Sequence, residues 1–200
     1  MPYPKSIENL INLLTKLPTV GPKTAERYVF YFLQQGPEEL QKFAQAIAEL
    51  KENTLVCRSC FAVADQSPCQ TCCNQQRDHT LISVISNTRD MIAIESTKEY
   101  KGVFHVLGGT INAIEGITPE NLKIKPLLSR IKENKVQEVV LALNPNLEGE
   151  TTSMYLAKLL KQTFPDITIS RIAKGLPMGA DLEYADELTV LNAMKYRNKL

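Results

Sequence analysis

Two Cys-x-x-Cys pairs, Cys57/Cys60 and Cys69/Cys72, constrain this chain more than any other feature. Each pair makes a tight knuckle that turns two sulfurs toward one point. Two knuckles supply the four sulfurs of a tetrahedral Zn²⁺ site. The spacer between the pairs, Phe61 to Pro68, is short for a ribbon-type site but can bend back between them. Disulfides, or thiols buried as small apolar groups, are the competing uses of cysteine. Asn9, Asn12 and Lys16 interrupt the apolar residues near the start, so no secretory signal is read there. Reduced thiols, a bound metal and a cytoplasmic location are therefore expected. A closed four-sulfur site leaves no open coordination position, so it is expected to hold structure and not to catalyse. Cys73 is a fifth sulfur; using it in place of Cys72 would break the second knuckle, so it is read as a spare thiol.

The cysteines stand between two kinds of patterning. Before them, Ile7, Leu10, Ile11, Leu14 and Leu17 recur at helical spacing, with Ser6 as the expected N-cap and Pro18 as the stop. Pro18 to Lys23 reads as a tight hairpin, and Thr24 caps or opens a second helix through Ala25, Tyr28, Val29 and Phe32. A third helix is expected from about Pro37 to Lys51, with Leu40, Phe43, Ala44, Ile47 and Leu50 on one face. Backbone N–H groups of the hairpin can hold a phosphate oxygen, and Lys23 and Arg27, four apart on the next helix, can face the same phosphate backbone. A plain helical hairpin with solvated charges has the same spacing, so both readings stand at this point.

After the cysteines, short β-branched runs alternate with helical patterns. Strands are expected at 81–85, 103–107, 138–143 and 167–172, with helices containing Met91 to Ile94, at 126–134 and at 151–163. That alternation predicts a parallel α/β sheet. Ligand groups in such sheets gather at the carboxyl ends of strands. Ser86 ends the first strand. Asn144 to Glu150 reads as a polar turn in which Glu148 and Glu150 either hold Mg²⁺ or simply lead a helix with negative charge. There is no phosphate-binding Gly-x-x-x-x-Gly-Lys loop. His79 reads as a surface residue and His105 as a satisfied strand histidine. The net charge of +1 excludes a protein that coats nucleic acid by bulk charge, so any DNA contact must be local. No apolar run approaches the length of a membrane helix.

Helical hairpin, four cysteines and α/β sheet with an acidic turn, in that order, resemble the bacterial recombination mediator family RecR over nearly the whole chain. The pieces that carry the resemblance are Leu17-Pro18-x-Val20-Gly21-Pro22-Lys23-Thr24-Ala25, the four cysteines, Asn144-Pro145-x-x-Glu148-Gly149-Glu150, and Arg171-Ile172-Ala173 through Gly175-Leu176-Pro177. The resemblance implies an α+β chain in parts. A helix-hairpin-helix region spans 1–54, a C4-type zinc finger 55–78, a Toprim-like parallel α/β domain 79–175, and a C-terminal segment with oligomer contacts 176–200. It implies a non-catalytic DNA-binding mediator that works with RecO and RecF to load RecA at single-stranded gaps, and a homo-oligomer, a ring-forming tetramer, around DNA. By position it implies DNA contact at Lys23 and Arg27, Zn²⁺ at Cys57, Cys60, Cys69 and Cys72, and partner binding at Glu148 and Glu150. Three departures stand out: Thr19 where the family usually has Gly, Ser86 where catalytic Toprim enzymes place a glutamate, and Lys174 and Ala180 where His and Gly are common. Lys174 is either an added phosphate contact or a tolerated surface change. The alternative function is a Toprim-type, Mg²⁺-dependent phosphoryl-transfer enzyme using Glu148 and Glu150, with Asp90 or Asp181 as a further carboxylate. A bare protein-interaction module is the third.

Overall fold

Ile7, Leu10, Ile11 and Leu14 fall within α1 (Lys5–Leu14), whose apolar stripe meets α2 (Pro22–Leu33) across the buried Ala25 and Val29. The computed structural model describes residues 3–176 and 178–197. Pro177, at the end of the Arg171 to Pro177 motif, and the last three residues of the 176–200 segment lie outside the described residues. Two compact units are present, one ending at Asn53 and the other beginning at Thr54.

In the first unit, α1 starts after Pro4, and Ser6 lies inside the helix instead of capping it. The helix also stops at Leu14, ahead of Pro18, because Lys16 and Leu17 donate to Leu13 and Leu14 and tighten the last turn to an i→i+3 pattern. Gly21, not Thr24, precedes α2. Pro22 takes the first helical position, where a missing N–H costs nothing. The third helix, α3, runs Pro37–Glu49. Its apolar face is not buried within this small unit: Phe43, Ile47 and Leu50 are 52%, 60% and 66% exposed.

The second unit opens with the cysteine segment. Strands β1 (Leu55–Val56) and β2 (Val63–Ala64) pair antiparallel around the first knuckle, and the short helix α4 (Gln70–Cys73) carries the second. Then come β3 (Asp78–Ile85), α5 (Thr88–Glu95), β4 (Gly102–Val106), α6 (Ile124–Glu133), β5 (Glu138–Leu141), α7 (Leu147–Thr163), β6 (Thr168–Arg171) and α8 (Glu187–Lys195). The sheet order is β4-β3-β5-β6 and every pairing is parallel. All five residues of β4 are buried, as expected of a parallel strand covered on both faces. Ile82, Val84, Val103, Val139 and Leu141 pack with Leu127, Ile131, Leu156 and Leu160 of α6 and α7. Ile85, Phe104, Val106 and Ala142 pack instead with Cys57, Cys60 and Cys69 and with Met91 and Ile94 of α5. The cysteine segment thus shares a hydrophobic core with the sheet.

Chain order reverses at β3, which lies between β4 and β5. The carboxyl ends of β3 and β5, at Ser86 and Asn144, therefore border the crevice where sheets of this kind present functional groups. Asn87 caps α5, reciprocally with Asp90. The expected polar turn at 144–150 is shorter than its composition suggests. Asn146 accepts from the Gly149 N–H at 2.9 Å, and α7 begins at Leu147. Among the described residues, no helix is long and apolar enough to cross a membrane.

Candidate functional sites: a four-cysteine cluster and two charged surfaces

The first knuckle closes through two backbone bonds, Cys57 N–H to Ala62 O at 2.8 Å and Phe61 N–H to Cys57 O at 2.9 Å. This turn forces Phe61 to a left-handed φ of 62°, a conformation usually given to glycine. The second knuckle starts with extended Cys69, followed by one helical turn that brings Cys72 back beside it. One ligand atom from each of Cys57, Cys60, Cys69 and Cys72 lies within 4.8 Å of all the others. The Cys60 and Cys69 sulfurs are 3.6 Å apart. Sulfurs about 2.3 Å from a tetrahedral ion stand roughly 3.8 Å from one another, so the donor set fits one. The Cys69 N–H donates to the Cys57 sulfur at 3.3 Å, a bond that stabilises a thiolate. The Cys60 thiol is pulled down to about 5, chiefly by the hydrogen bond from Cys72. The same contact, with burial, pushes Cys72 up. Thiols that take a cation do so as thiolates and release their protons. Cys73 is exposed and its Sγ turns away to the Pro68 carbonyl at 3.4 Å. His79 bonds the Asn74 carbonyl and is not in the cluster.

Lys23 and Arg27 are one turn apart and exposed near the N-terminus of α2. Neither enters an ion pair among the described residues. The Arg27 guanidinium carbon lies 6.0 Å from the centre of the Tyr28 ring. Both cations can therefore meet an anion, at the helix end whose dipole favours one. Thr19 in the preceding hairpin adopts φ 65°, and its hydroxyl donates to the Pro18 carbonyl at 2.6 Å. This left-handed backbone, which favours glycine, is adopted here by a β-branched residue.

The acidic pair falls inside the first turn of a helix and not in a turn ahead of it. Glu148 and Glu150 are in the first turn of α7, and residues two apart on a helix do not face each other. Glu150 accepts from Lys174 Nζ at 2.6 Å and from Arg171 Nη1 at 3.1 Å. Lys174, and then Arg171, hold its carboxyl below the usual range. Lys174 is thus engaged by Glu150. Asp90 accepts from the Ser86 hydroxyl and the Asn87 N–H within the α5 cap. Among the described residues, the four cysteines are the one group of three or more acidic, His or Cys side chains that converge on a point. Among the described residues, Glu148, Glu150, Asp90 and Asp181 do not converge as the phosphoryl-transfer alternative requires. Arg171, Lys174 and Glu150 line a cleft of about 740 Å³ with Asp186, Leu188 and Asn192 from the C-terminal segment. Arg171 and Lys174 were not expected as partners of Glu150, because the sequence shows neither their spatial neighbour nor the early start of α7.

Comparison with known proteins matches three stretches of the chain to family models: RecR helix-hairpin-helix at residues 7–51, Toprim domain at 80–173, and RecR C-terminal at 175–198. The chain is 43% identical over 200 residues to the recombination protein RecR of Staphylococcus saprophyticus, covering 100% of both. It is 46% identical over 195 residues to recombination protein RecR of Bifidobacterium adolescentis, covering 98% of this chain and 96% of that one. It is 44% identical over 200 residues to recombination protein RecR of Moorella thermoacetica, covering 100% of both.

Proposed function

Because this chain belongs to the RecR family, we propose that it is a non-catalytic, DNA-binding mediator of recombinational DNA repair that acts with RecO and RecF to help load RecA at single-stranded gaps. The observation that carries the reading is the pairing of a helix-hairpin-helix, with Lys23 and Arg27 free and exposed, with a Toprim-type sheet whose carboxylates are dispersed. Lys23 and Arg27 contact phosphates. Glu148, whose carboxylate has no hydrogen-bond partner or ion pair among the described residues, presents the partner-binding charge, and Glu150 completes that surface. Cys57, Cys60, Cys69 and Cys72 hold Zn²⁺, the ion that four thiolates in tetrahedral array suit. The helix-hairpin-helix region 1–54, zinc finger 55–78, Toprim-like domain 79–175 and C-terminal segment 176–200 act as successive parts, in the cytoplasm.

The protein works as a ring-forming tetramer around DNA. Exposed apolar side chains support self-association: Phe43 and Ile47 on α3 with Leu50 just past its end, and Leu188, Leu191 and Met194 on α8. Closure around a strand lets weak contacts act together, which suits a chain of net charge +1. The test compares retention on closed circular and linear DNA of one length during a salt wash, with plasmid integrity followed in Mg²⁺. Retention on circles at salt that releases linear DNA, with the plasmid intact, is expected. Equal release from both, or nicking lost on Glu148→Ala, would overturn the mediator reading.

A further inference from the structure

Arg130, on α6, is 8% exposed and has no carboxylate partner among the described residues. A buried guanidinium without a counter-charge is strongly unfavourable, so its surroundings must supply one. One N–H donates to the Phe104 carbonyl of β4. Another donates to the Cys72 sulfur at 3.8 Å, across a sequence separation of 58 residues. Among the described residues no other non-cysteine side chain donates to a sulfur of the cluster.

The cysteine cluster has the opposite problem. Four thiolates around one divalent cation leave a net charge of about −2. Cys57, Cys60 and Cys69 are 0%, 1% and 5% exposed, so water does little to offset that charge. Cys72 is the cluster cysteine that is not fully buried. It opens on a cleft of about 380 Å³ that Arg130 also lines, together with Arg58 and Ser59. The least protected ligand and the unpaired buried cation therefore meet at one place.

We propose that Arg130 is a positioning residue of the metal centre. Its guanidinium supplies the counter-charge and one N–H···S bond that hold Cys72 as a ligand, and its bond to Phe104 ties the centre to β4. This rests on the zinc reading above. Groups hydrogen-bonded to metal ligands orient them and tune the ion, and their loss typically lowers metal affinity about 10- to 100-fold.

The experiment uses the full chain, stripped of metal and titrated with Co²⁺ and then Zn²⁺ against a competing chelator. The parent protein must first show a tetrahedral Co²⁺ spectrum with sulfur-to-metal charge transfer; its absence would sink the zinc reading itself. Arg130→Gln keeps a donor for the Phe104 carbonyl and removes the charge. It is expected to lower affinity by about 10- to 100-fold and to move the charge-transfer band to lower energy, since thiolate relieved of its hydrogen bond gives up electrons more easily. A loss smaller than about tenfold, or a full loss with the band unmoved, would overturn the proposal while leaving the metal site intact. Should Arg130→Gln fail to fold, Arg130→Lys decides: an ammonium reaches only one of the two acceptors. Its affinity is expected to fall by at least about threefold with the same direction of band shift, and an unchanged affinity overturns the inference.

Discussion

Thr19 holds a φ of 65°, and its β-branched side chain gains only a local hydroxyl bond to Pro18 in return. A non-glycine residue in this region stores on the order of 1–3 kcal/mol. Thr19→Gly is expected to stabilise the N-terminal unit by about 1 kcal/mol, after subtracting the extra chain entropy of glycine. Urea unfolding of the two proteins checks this; a less stable variant would show that the turn is not strained. Phe61 is at a similar angle, but its ring packs edge-on against His105 at 5.4 Å and takes the Lys123 ammonium at 5.8 Å. Packing there offsets the backbone cost, and Phe61→Gly is not expected to gain.

His105 is fully buried, and its Nε2 is 2.8 Å from the Lys123 carbonyl, a bond that the neutral ring makes as donor. Burial draws its pKa down to about 4, opposed by that bond. The folded value lies below the ordinary one near 6.5, so the unfolded chain binds the proton first. The stability due to neutral His105 is complete above pH 6.5 and lost as pH falls toward 4, by at most ~1.4 kcal/mol per pH unit. His105→Gln should flatten that limb of the stability–pH curve; an unchanged slope would show that the ring does not titrate this way.

Elements with strong periodicity were legible in the sequence. The continuous apolar, β-branched runs at β3, β4 and β5 announced strands covered on both faces, and α1 announced itself by apolar residues that recur every third to fourth position. The four cysteines announced the cluster, because knuckle spacing and sulfur chemistry leave few alternatives. Helix ends were less legible. Asn144 to Glu150 reads as a turn by composition, yet Gly149 permits α7 to press against the preceding strand exit: a Cβ there would come within 2.0 Å of the Asn144 carbonyl. Gly149→Ala is therefore expected to cost on the order of 3 kcal/mol, as overpacking against rigid backbone does. The Glu150 triad was hidden for a different reason, since its cations come from the end of β6 and the segment beyond it.

That triad has a pH signature. Lys174 and Arg171 depress the Glu150 pKa, so its contribution is present above the ordinary glutamate range and is lost as pH falls through the folded value. Glu150→Gln should be less stable than the parent at pH 7, by roughly 0.5–1 kcal/mol for so solvent-exposed a group, and the difference should shrink as pH falls below the ordinary glutamate range. A constant difference across that range would place the loss elsewhere. At the cysteine segment, Cys72→Ser should loosen the β4 side of the sheet, because cluster and strand share one core, whereas Cys73→Ser should leave hydrogen exchange there unchanged. Equal effects would contradict the ligand assignment.

For the molecule as a whole, function follows from where charge is free and where it is spent. The carboxylate of Glu150 is ion-paired with both Arg171 and Lys174 at the sheet, and the Arg130 guanidinium is buried against a cysteine sulfur. Among the described residues, Lys23 and Arg27 have no ion-pair partner, and both are exposed in the first half of α2. On the proposed function, a near-neutral chain grips DNA through such local placement, repeated by assembly. The most direct measurement is the salt dependence of DNA affinity for the parent and for the Lys23→Ala, Arg27→Ala double variant. Each phosphate contact removed should shallow the slope of log affinity against log salt by about 1, so a decrease of roughly 2 per subunit engaged, with weaker binding to every sequence alike, is expected. An unchanged slope and affinity would contradict the account, because the grip would then lie somewhere other than the helical hairpin.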